Sequence, residues 1–252
     1  MRDLHRRKAR ERRGLVVAEG RRLVEDAFRA GAKVTALLVA DDVRDQAAPL
    51  LDETGRRGIR AEVAPRRDFD ALADTETPSG VLAVVEWHPL ALAEVRRPAA
   101  GPSPRRALVI DGVQDPGNVG TMIRTAAALG AWLTVALDGT ADVRGPKVVR
   151  GSMGAVFRHQ VAAATFEDWC DWAAREGITT WIAASRGEPL TARDRAAPDL
   201  ALVIGNEGQG VRPGWHERGH RAVAVPMRPG AESLNAAVAA GILLWELTHA
   251  GA

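Results

Sequence analysis

The sequence has very little cysteine and no clustered histidine. One cysteine, Cys170, among 252 residues excludes an internal disulfide and any zinc site that needs several thiolates. Of the six histidines, only His216 and His220 have a helical spacing, and no cysteine or third histidine lies near enough to complete a metal site. We therefore expect no bound metal.

Long apolar runs and a secretory leader are also missing. No apolar stretch approaches the roughly 18 residues that a membrane-spanning helix needs, and the first residues are too charged for a signal peptide. These absences predict a cytoplasmic protein without membrane association. The G-x-S-x-G pattern of serine hydrolases does not occur either, which leaves that chemistry without its usual nucleophile.

Composition and segment order predict two α/β domains. A hydrophobic content of 46% and a charged content of 26% are ordinary for a folded protein of this length. Strand-like and helix-like segments alternate over residues 1–87 and again over residues 107–252. Residues 88–106 contain four prolines and no clear periodicity, which is typical of an interdomain linker.

The amino-terminal segment is strongly basic. Residues 1–22 contain nine lysines or arginines and three acidic residues, so this segment carries +6 while the rest of the chain carries −4. Arginine matches phosphate in bidentate geometry, so the segment is typical of nucleic-acid contact, although a solvated charged helix would have the same composition. The candidate RNA-binding residues are Arg6, Arg7, Arg10, Arg13, Arg21 and Arg22.

Residues 107–130 predict a buried strand, a polar loop and a helix that ends at Gly130. The loop lies at the carboxyl end of a strand and the amino end of a helix, where open α/β sheets bind ligands. Asn118 is expected to be the helix N-cap, and Arg124 places a positive charge one turn into the helix. Taken alone, an ordinary strand, turn and helix would explain the pattern equally well.

Two later strands end in similar loops. LVIGNEGQG (202–210) and VAVPMRPGAESLNAA (223–237) combine apolar strands with glycine-rich or proline-containing turns, which let a backbone approach a ligand closely. We expect a final helix over residues 233–248 that begins at Ser233. Because this helix is apolar nearly all round, it must be covered on more than one side, by a partner subunit or by a neighbouring helix.

The three loops together resemble the motifs of the SpoU/TrmH group of SPOUT RNA 2′-O-ribose methyltransferases. DPGNVGTMIRTAAALG resembles the first motif, IGNEGQG the second and VPMRPGAESLNAAVAAG the third, in the family's order, and GSMGAVFR between them also fits. Residues 1–87 resemble, more loosely, the small ribosomal-protein-like α/β RNA-binding domain of many members. The resemblance covers most of residues 107–246 in the second half.

The resemblance implies a trefoil-knotted α/β SPOUT methyltransferase domain that forms homodimers and binds S-adenosylmethionine. It implies cofactor contacts from the backbone of the second and third loops, namely at Gly205, Asn206, Gly208, Val225, Met227 and Leu234. The polar residues that it places around the reacting ribose are Asn118, Arg124, Glu207, Ser233 and Asn235.

The family assigns loss of the ribose proton to the arginine that is Arg124 in this chain. Methyl transfer is an in-line displacement, so the enzyme must position the 2′-hydroxyl and ease loss of its proton. Because arginine normally keeps its own proton at neutral pH, we expect Arg124 to bind the adjacent phosphate and stabilise the developing alkoxide.

A separate amino-terminal domain favours ribosomal RNA, above all 23S rRNA, as the substrate over transfer RNA. A transfer-RNA methyltransferase of the same family and a non-catalytic RNA-binding protein with the same fold remain alternatives. A nicotinamide-dependent oxidoreductase is disfavoured, because the GNEGQG and DPGNVG loops lack the G-x-G-x-x-G spacing and no acidic ribose partner is in place.

Overall fold

The computed structural model of the chain describes residues 2–99, 104–230 and 233–249. Its contacts divide the chain into two compact units. The first unit contains Met1–His88 and Asp142–Arg158, and the second contains Pro89–Ala141 and His159–Ala252.

Strands and helices alternate through both units, as the sequence predicts. The strands are β1 (Leu15–Glu19), β2 (Lys33–Ala40), β3 (Arg60–Ala64), β4 (Val81–Glu86), β5 (Arg106–Asp111), β6 (Leu133–Leu137), β7 (Val161–Ala164), β8 (Thr179–Pro189), β9 (Leu200–Gly205) and β10 (Arg221–Ala224). The helices are α1 (Arg7–Arg13), α2 (Arg21–Arg29), α3 (Ala48–Arg56), α4 (Arg66–Asp70), α5 (Pro116–Ala128), α6 (Pro146–Gly151), α7 (Phe166–Arg175), α8 (Pro213–Glu217) and α9 (Ala236–Thr248).

The first unit is built on a four-stranded sheet in the order β1-β4-β2-β3. Strand β4 is antiparallel to both β1 and β2, while β2 and β3 are parallel. Apolar side chains of β4 are buried because the strand is central, whereas β3 lies at the edge and is largely exposed. Phe69 and Leu82 are fully buried in the core on one face of this sheet.

A segment from the second half of the sequence completes the first unit. Helix α6 packs against β1. The carboxylate of Asp142 forms a 2.7 Å ion pair with the guanidinium of Arg10. Gly154 has a φ of +76°, and a Cβ there would lie 2.7 Å from the Cβ of Asp26, so the backbone approaches α2 closely. The contacts therefore differ from the predicted continuous domain over residues 107–252, since residues 142–158 pack with the first unit.

The second unit is a six-stranded sheet in the order β10-β8-β9-β5-β6-β7, and all of its strand pairs are parallel. The central strands β5 and β9 are buried along their whole length, which explains the apolar runs over residues 107–110 and 200–204. Helices α5 and α9 pack against each other and contact this sheet. Parallel pairing brings the carboxyl ends of all six strands to one edge.

The segment predicted to be a linker packs against the second unit where it is described. Leu90 pairs with Ala162 beside β7, and Leu92 and Val95 pack against the core of the unit. Arg97 donates a 2.5 Å hydrogen bond to the carboxylate of Asp199. Proline content predicted an interdomain linker over residues 88–106, but apolar side chains and an ion pair make residues 89–99 part of the second unit.

Two helices begin at residues other than those predicted. Helix α5 starts at Pro116, and its N-cap is Asp115, whose carboxylate accepts a hydrogen bond from the N–H of Gly117. Proline is favoured at the first helical position because it lacks an N–H, so the cap falls before Pro116 and not at Asn118. Helix α9 starts at Ala236, and Asn235 caps it by accepting hydrogen bonds from the first-turn backbone. The prediction of Asn118 as an N-cap was wrong, and so was the predicted start of the last helix at Ser233.

No described helix could span a lipid bilayer. Among residues 2–99, 104–230 and 233–249, no group of three or more His, Cys, Asp or Glu side chains has an arrangement that could hold a metal ion.

Candidate functional site

The candidate site lies where β5, β9 and β10 end, at the carboxyl edge of the parallel sheet. Strands β5 and β9 are neighbours, and their last paired residues are Asp111 and Gly205. The loops that follow these two strands therefore leave the sheet side by side. This arrangement is the one in which open α/β sheets bind ligands.

The loop after β9 closes on itself over residues 206–210 and forms a compact ring. Asn206 and Gly210 exchange two backbone hydrogen bonds, both of 2.9 Å. The side-chain oxygen of Asn206 accepts hydrogen bonds from the N–H groups of Gly208 and Gln209, and its amide nitrogen donates a 2.8 Å bond to the carbonyl of Gly112. The ring is thus held to the loop after β5.

Gly205 is required where the ring closes. A Cβ at this position would lie 2.2 Å from both the carbonyl carbon of Gly210 and the nitrogen of Val211. Backbone atoms cannot move aside as a flexible side chain can, so a larger residue would open the ring.

Arg212, two residues after the ring, anchors the chain where it leaves the ring. It bonds through its backbone N–H and its guanidinium to the carboxylate of Asp111, which is 2% exposed and also accepts a 2.8 Å bond from the indole of Trp215. The guanidinium also reaches the carboxylate and carbonyl of Asp138 at the end of β6. Burial opposes the charge on Arg212, but its bonds to Asp111 are strong enough to raise the pKa of Arg212.

Glu207, within the ring, binds the loop after β5. Its carboxylate accepts hydrogen bonds from the backbone N–H of Gln114 (3.1 Å) and Asp115 (3.2 Å) and from the side-chain amide of Asn118 (3.0 Å). Burial disfavours the charged form, but the bonds from Asn118 and the backbone outweigh it and lower the pKa of Glu207. Glu207 is therefore an ionised acceptor at neutral pH.

A chain of hydrogen bonds continues from Glu207 to α9. The side-chain oxygen of Asn118 accepts a 2.9 Å bond from the amide of Asn235, whose own oxygen accepts from the N–H of Ala237 and Val238. Because a carboxylate can only accept, Glu207 fixes which way the Asn118 amide faces, and the helix N–H groups fix Asn235 in the same way. The chain Glu207–Asn118–Asn235 thus joins all three loops.

A cavity of about 460 Å³ opens between the ring and the loop after β10. Such a volume falls within the range of roughly 300–1,000 Å³ for small-molecule and cofactor sites. All six residues predicted to bind a cofactor line it: Gly205, Asn206, Gly208, Val225, Met227 and Leu234. Glu207 and Ser233 line it as well.

Sequence reasoning missed one wall of this cavity. Residues 183–185 of β8 line it, and so does His216 of α8. Alanines and a serine carry no chemical signature of a site. The available signal was topological, because β8 pairs with β9 in parallel and its carboxyl end must reach the same edge of the sheet.

Two predicted site residues lie outside the hydrogen-bonded chain. Arg124 is exposed on α5, and its guanidinium makes no hydrogen bond or ion pair within the described part of the chain. Ser233 lines the cavity, and its hydroxyl likewise has no protein partner among the described residues. Both side chains are available to a ligand.

Arg10 is a correction to the predicted RNA-binding set. Its side chain is 6% exposed and pairs with Asp142, and it donates hydrogen bonds to the carbonyls of Leu4 (2.8 Å) and His5 (2.9 Å). Burial disfavours the ionised form of Asp142, but the hydrogen bond from Arg10 and the one from the backbone of Arg144 outweigh it, so the pKa of Asp142 is lowered. A guanidinium with these partners stabilises the fold and is not available to phosphate.

The other five arginines of the predicted set are exposed. Arg7 pairs with Glu11 and Arg21 with Glu25, both at 2.9 Å, within surface helices. Such exposed pairs contribute little stability and exchange readily for another anion. Arg6, Arg13 and Arg22 have no side-chain partner in the described part of the chain.

Two protein families match this chain. Residues 105–245 match the SpoU rRNA Methylase family, and residues 1–83 match the MRM3-like substrate binding domain. Together these matches cover both α/β parts of the sequence.

Three relatives are similar to this chain over nearly their whole length. The 23S rRNA (guanosine(2553)-2′-O)-methyltransferase RlmP of Bacillus subtilis is 36% identical over 245 residues, which cover 97% of this chain and 92% of RlmP. The AdoMet-bound rRNA methyltransferase of Sinorhizobium meliloti superposes with a TM-score of 0.84 at 28% identity, covering 98% of this chain and 91% of that one. AviRb of Streptomyces viridochromogenes, in complex with AdoMet, gives 0.82 at 29% identity, with 97% and 94% covered.

Proposed function

The chain belongs to the SpoU rRNA methylase family, and we propose that it transfers a methyl group from S-adenosylmethionine to a ribose 2′-hydroxyl of 23S ribosomal RNA. Residues 107–252 supply catalysis in this proposal, and residues 1–87 bind the RNA. A ribosomal RNA substrate would place the protein in the cytoplasm.

The cavity fits S-adenosylmethionine. Its walls combine small and apolar side chains, such as Val211 and Leu243, with the backbone of two loops, which suits a purine and its ribose. Among the described residues that line it, Glu207 is the one carboxylate, and neither lysine nor arginine is present. A lining without lysine or arginine suits a cofactor whose sulfonium and ammonium groups leave it with a net positive charge.

The proposal rests mainly on Glu207, which belongs both to the cavity and to the chain of hydrogen bonds. Its side chain lines the cofactor cavity and also accepts the hydrogen bond that orients Asn118. The cofactor cavity and the loop expected to hold the ribose are thus joined by one side chain. In-line transfer requires such a fixed relation between donor and acceptor.

The chain's own residues have simple tasks in the reaction. When bound, S-adenosylmethionine supplies a methyl group whose bond to sulfur breaks as the bond to the ribose O2′ forms, and the hydroxyl proton leaves to solvent. Arg124, which is free of ion pairs in the described structure, would bind the neighbouring phosphate and stabilise the charge that develops on O2′. Asn118 and Asn235, held in fixed orientations, would position the ribose hydroxyls.

The exposed face of α9 supports assembly into a homodimer. Val238, Ile242 and Trp245 are 49%, 38% and 52% exposed and lie at helical spacing on one face, with Leu234 (39%) just before the helix. The other face is buried by the sheet and by α5. A second copy of this chain would cover the apolar stripe, and because Leu234 also lines the cavity, the interface would adjoin the site.

A methyl-transfer assay tests the proposal. The purified chain is given tritiated S-adenosylmethionine and, separately, 23S rRNA, 16S rRNA and transfer RNA from a strain that lacks the gene. We expect the wild type to label 23S rRNA and Arg124→Ala to lose turnover. Calorimetry should show that the wild type and Arg124→Ala both bind S-adenosylmethionine. Guanosine 2553, which the name of RlmP specifies, is the first nucleotide to map. RNA binding without transfer would indicate a non-catalytic protein, and label in transfer RNA alone would overturn the choice of substrate.

A further inference from the structure

Strand β8 carries a large bulge beside the cofactor cavity. Trp181 and Ile182 pair with Arg221 and Ala222 of β10, but the next pairs join Glu188 and Pro189 to Val223 and Ala224. Residues 183–187 therefore have no partners on β10 and leave the plane of the ladder. Bulges of this kind redirect side chains at the end of a strand, and here that end faces the site.

Gly187 allows the bulge to close. A Cβ at this position would lie 2.5 Å from the carbonyl carbon and 2.7 Å from the nitrogen of Val223. Residues of the bulge line the cofactor cavity and also a smaller cleft of about 280 Å³. Ser185 and Met227 line both spaces, so the cleft directly adjoins the cavity.

One free guanidinium group lines this cleft, and a second free arginine is next in sequence to residues that line it. Arg228 lines it, and Arg186 lies between Ser185 and Gly187, which also line it. Both arginines are exposed, and neither makes a hydrogen bond or ion pair within the described part of the chain. Most other arginines of the second unit are held by carboxylates, namely Arg97, Arg105, Arg195, Arg212, Arg218 and Arg221. The cleft therefore presents positive charge to an incoming ligand.

We propose that this cleft binds a backbone phosphate of the RNA next to the target nucleotide, with Arg186 and Arg228 as its contacts. This inference rests on the proposed function. Guanidinium groups match phosphate oxygens in bidentate geometry. The cofactor is a poorer candidate, because its net positive charge would be repelled by two arginines, whereas RNA carries one negative charge per nucleotide.

The position of the cleft determines what it contributes. It adjoins the cofactor cavity, so a phosphate held there would place the neighbouring ribose near the methyl group. Arg186 and Arg228 are positioning residues in this account. Their loss weakens RNA binding and leaves the cofactor site intact.

The test compares two double variants with equal loss of charge. Arg186→Ala/Arg228→Ala removes the cleft arginines. Arg96→Ala/Arg193→Ala removes two exposed arginines of the same unit that make no ion pair in the described structure and do not line the cleft. RNA affinity is measured directly by fluorescence anisotropy on a 23S rRNA fragment across a salt series, and cofactor affinity by calorimetry.

We expect the cleft variant to bind RNA about tenfold more weakly than the control variant at equal cofactor affinity. The slope of log affinity against log salt should fall by about 1–2, as expected for one or two lost phosphate contacts. Equal RNA affinity in the two variants would overturn the proposal, and so would a weakened cofactor affinity with unchanged RNA binding, which would assign the cleft to the cofactor carboxylate. Because RNA binding is measured without turnover, failure of methyl transfer in the wild type would be a separate result.

Discussion

The carboxylate of Asp111 receives both the backbone N–H and the guanidinium of Arg212, 101 residues later in the sequence. The two bonds are 2.9 and 2.7 Å long, and Asp111 is buried at the end of β5. The next residue, Gly112, accepts the amide of Asn206 at the other end of the same loop. The last residue of β5 and the first residue of the loop after it thus hold both ends of the ring that forms a wall of the cavity.

Replacing Arg212 with lysine should weaken cofactor binding. Lysine keeps the charge, but its single ammonium cannot reproduce the fork that reaches Asp111 and Asp138 together. We expect the dissociation constant for S-adenosylmethionine to rise about tenfold, or ~1.4 kcal/mol, in calorimetry. Arg218→Lys, at an exposed arginine paired with Glu167, is the matched control. An unchanged constant in Arg212→Lys would show that the ring keeps its shape without this clamp.

Replacing Glu207 with glutamine should lower turnover more than it lowers binding. The three groups that face Glu207 all donate, and a glutamine would turn an NH₂ group toward at least one of them. An unsatisfied donor costs about 1–3 kcal/mol, so we expect kcat to fall about ten- to hundredfold as Asn118 loses its orientation. Glu217→Gln, an exposed position on α8, should leave kcat unchanged. Single-turnover rates measure the difference, and equal rates in the two variants would remove Glu207 from the mechanism.

Local patterns predicted the regular elements well. The strand and helix predicted within residues 107–130 are β5 and α5, because an apolar run marks the strand and apolar residues at helical spacing mark the helix. The six residues predicted to bind the cofactor line one cavity, since they lie in loops that resemble known motifs, and their contact with the cofactor stays a prediction. Sequence therefore located both the sheet and the loops that line the cavity at its edge.

Long-range contacts could not be read in the same way. Arg10 belongs to a basic run that is typical of RNA binding, and only the fold shows that Asp142, 132 residues later, buries it. The segment 142–158 has no local mark of packing with the first unit. Likewise, the bulge of β8 depends on its register with β10, which no local pattern specifies.

Loss of Arg10 should destabilise the first unit without altering RNA contacts. Removing one partner of a buried pair leaves an uncompensated charge and costs about 3–5 kcal/mol, so Arg10→Ala should unfold at much lower denaturant concentration. The pKa of Asp142 is lowered in the folded protein, so the pair stabilises the fold above the ordinary carboxyl pKa near 3.8 and loses this effect as the pH falls below it. The wild type should therefore lose more stability than Arg10→Ala between pH 5 and pH 3. If the free energies of unfolding of the two proteins fell in parallel over this range, the Arg10–Asp142 pair would not be the source of the stability.

The exposed arginines of the amino-terminal segment should contribute to RNA affinity. Arg13 and Arg22 have no partner in the described structure, so their replacement by alanine removes charge without breaking a protein contact. We expect weaker binding of 23S rRNA at low salt, with a salt slope reduced by about 1–2. Arg44→Ala/Arg67→Ala removes two exposed arginines of the same unit from outside the segment and is the control. Equal affinities in an anisotropy titration would show that the basic segment is only a solvated surface.

The apolar stripe on α9 should hold two copies of the chain together. Val238 and Trp245 are about half exposed although the helix around them is almost wholly apolar, and α5 already covers a different side of it. Lysine at position 238 would place a charge in the centre of the stripe, where burial against a second copy is strongly unfavourable. We expect light scattering to give a dimer for the wild type and a monomer for Val238→Lys. Asp171→Lys, at an exposed position of α7, should remain a dimer. If the wild type is a monomer at micromolar concentration, the stripe does not bind a second copy of the chain. If Val238→Lys is a dimer, the interface lies elsewhere.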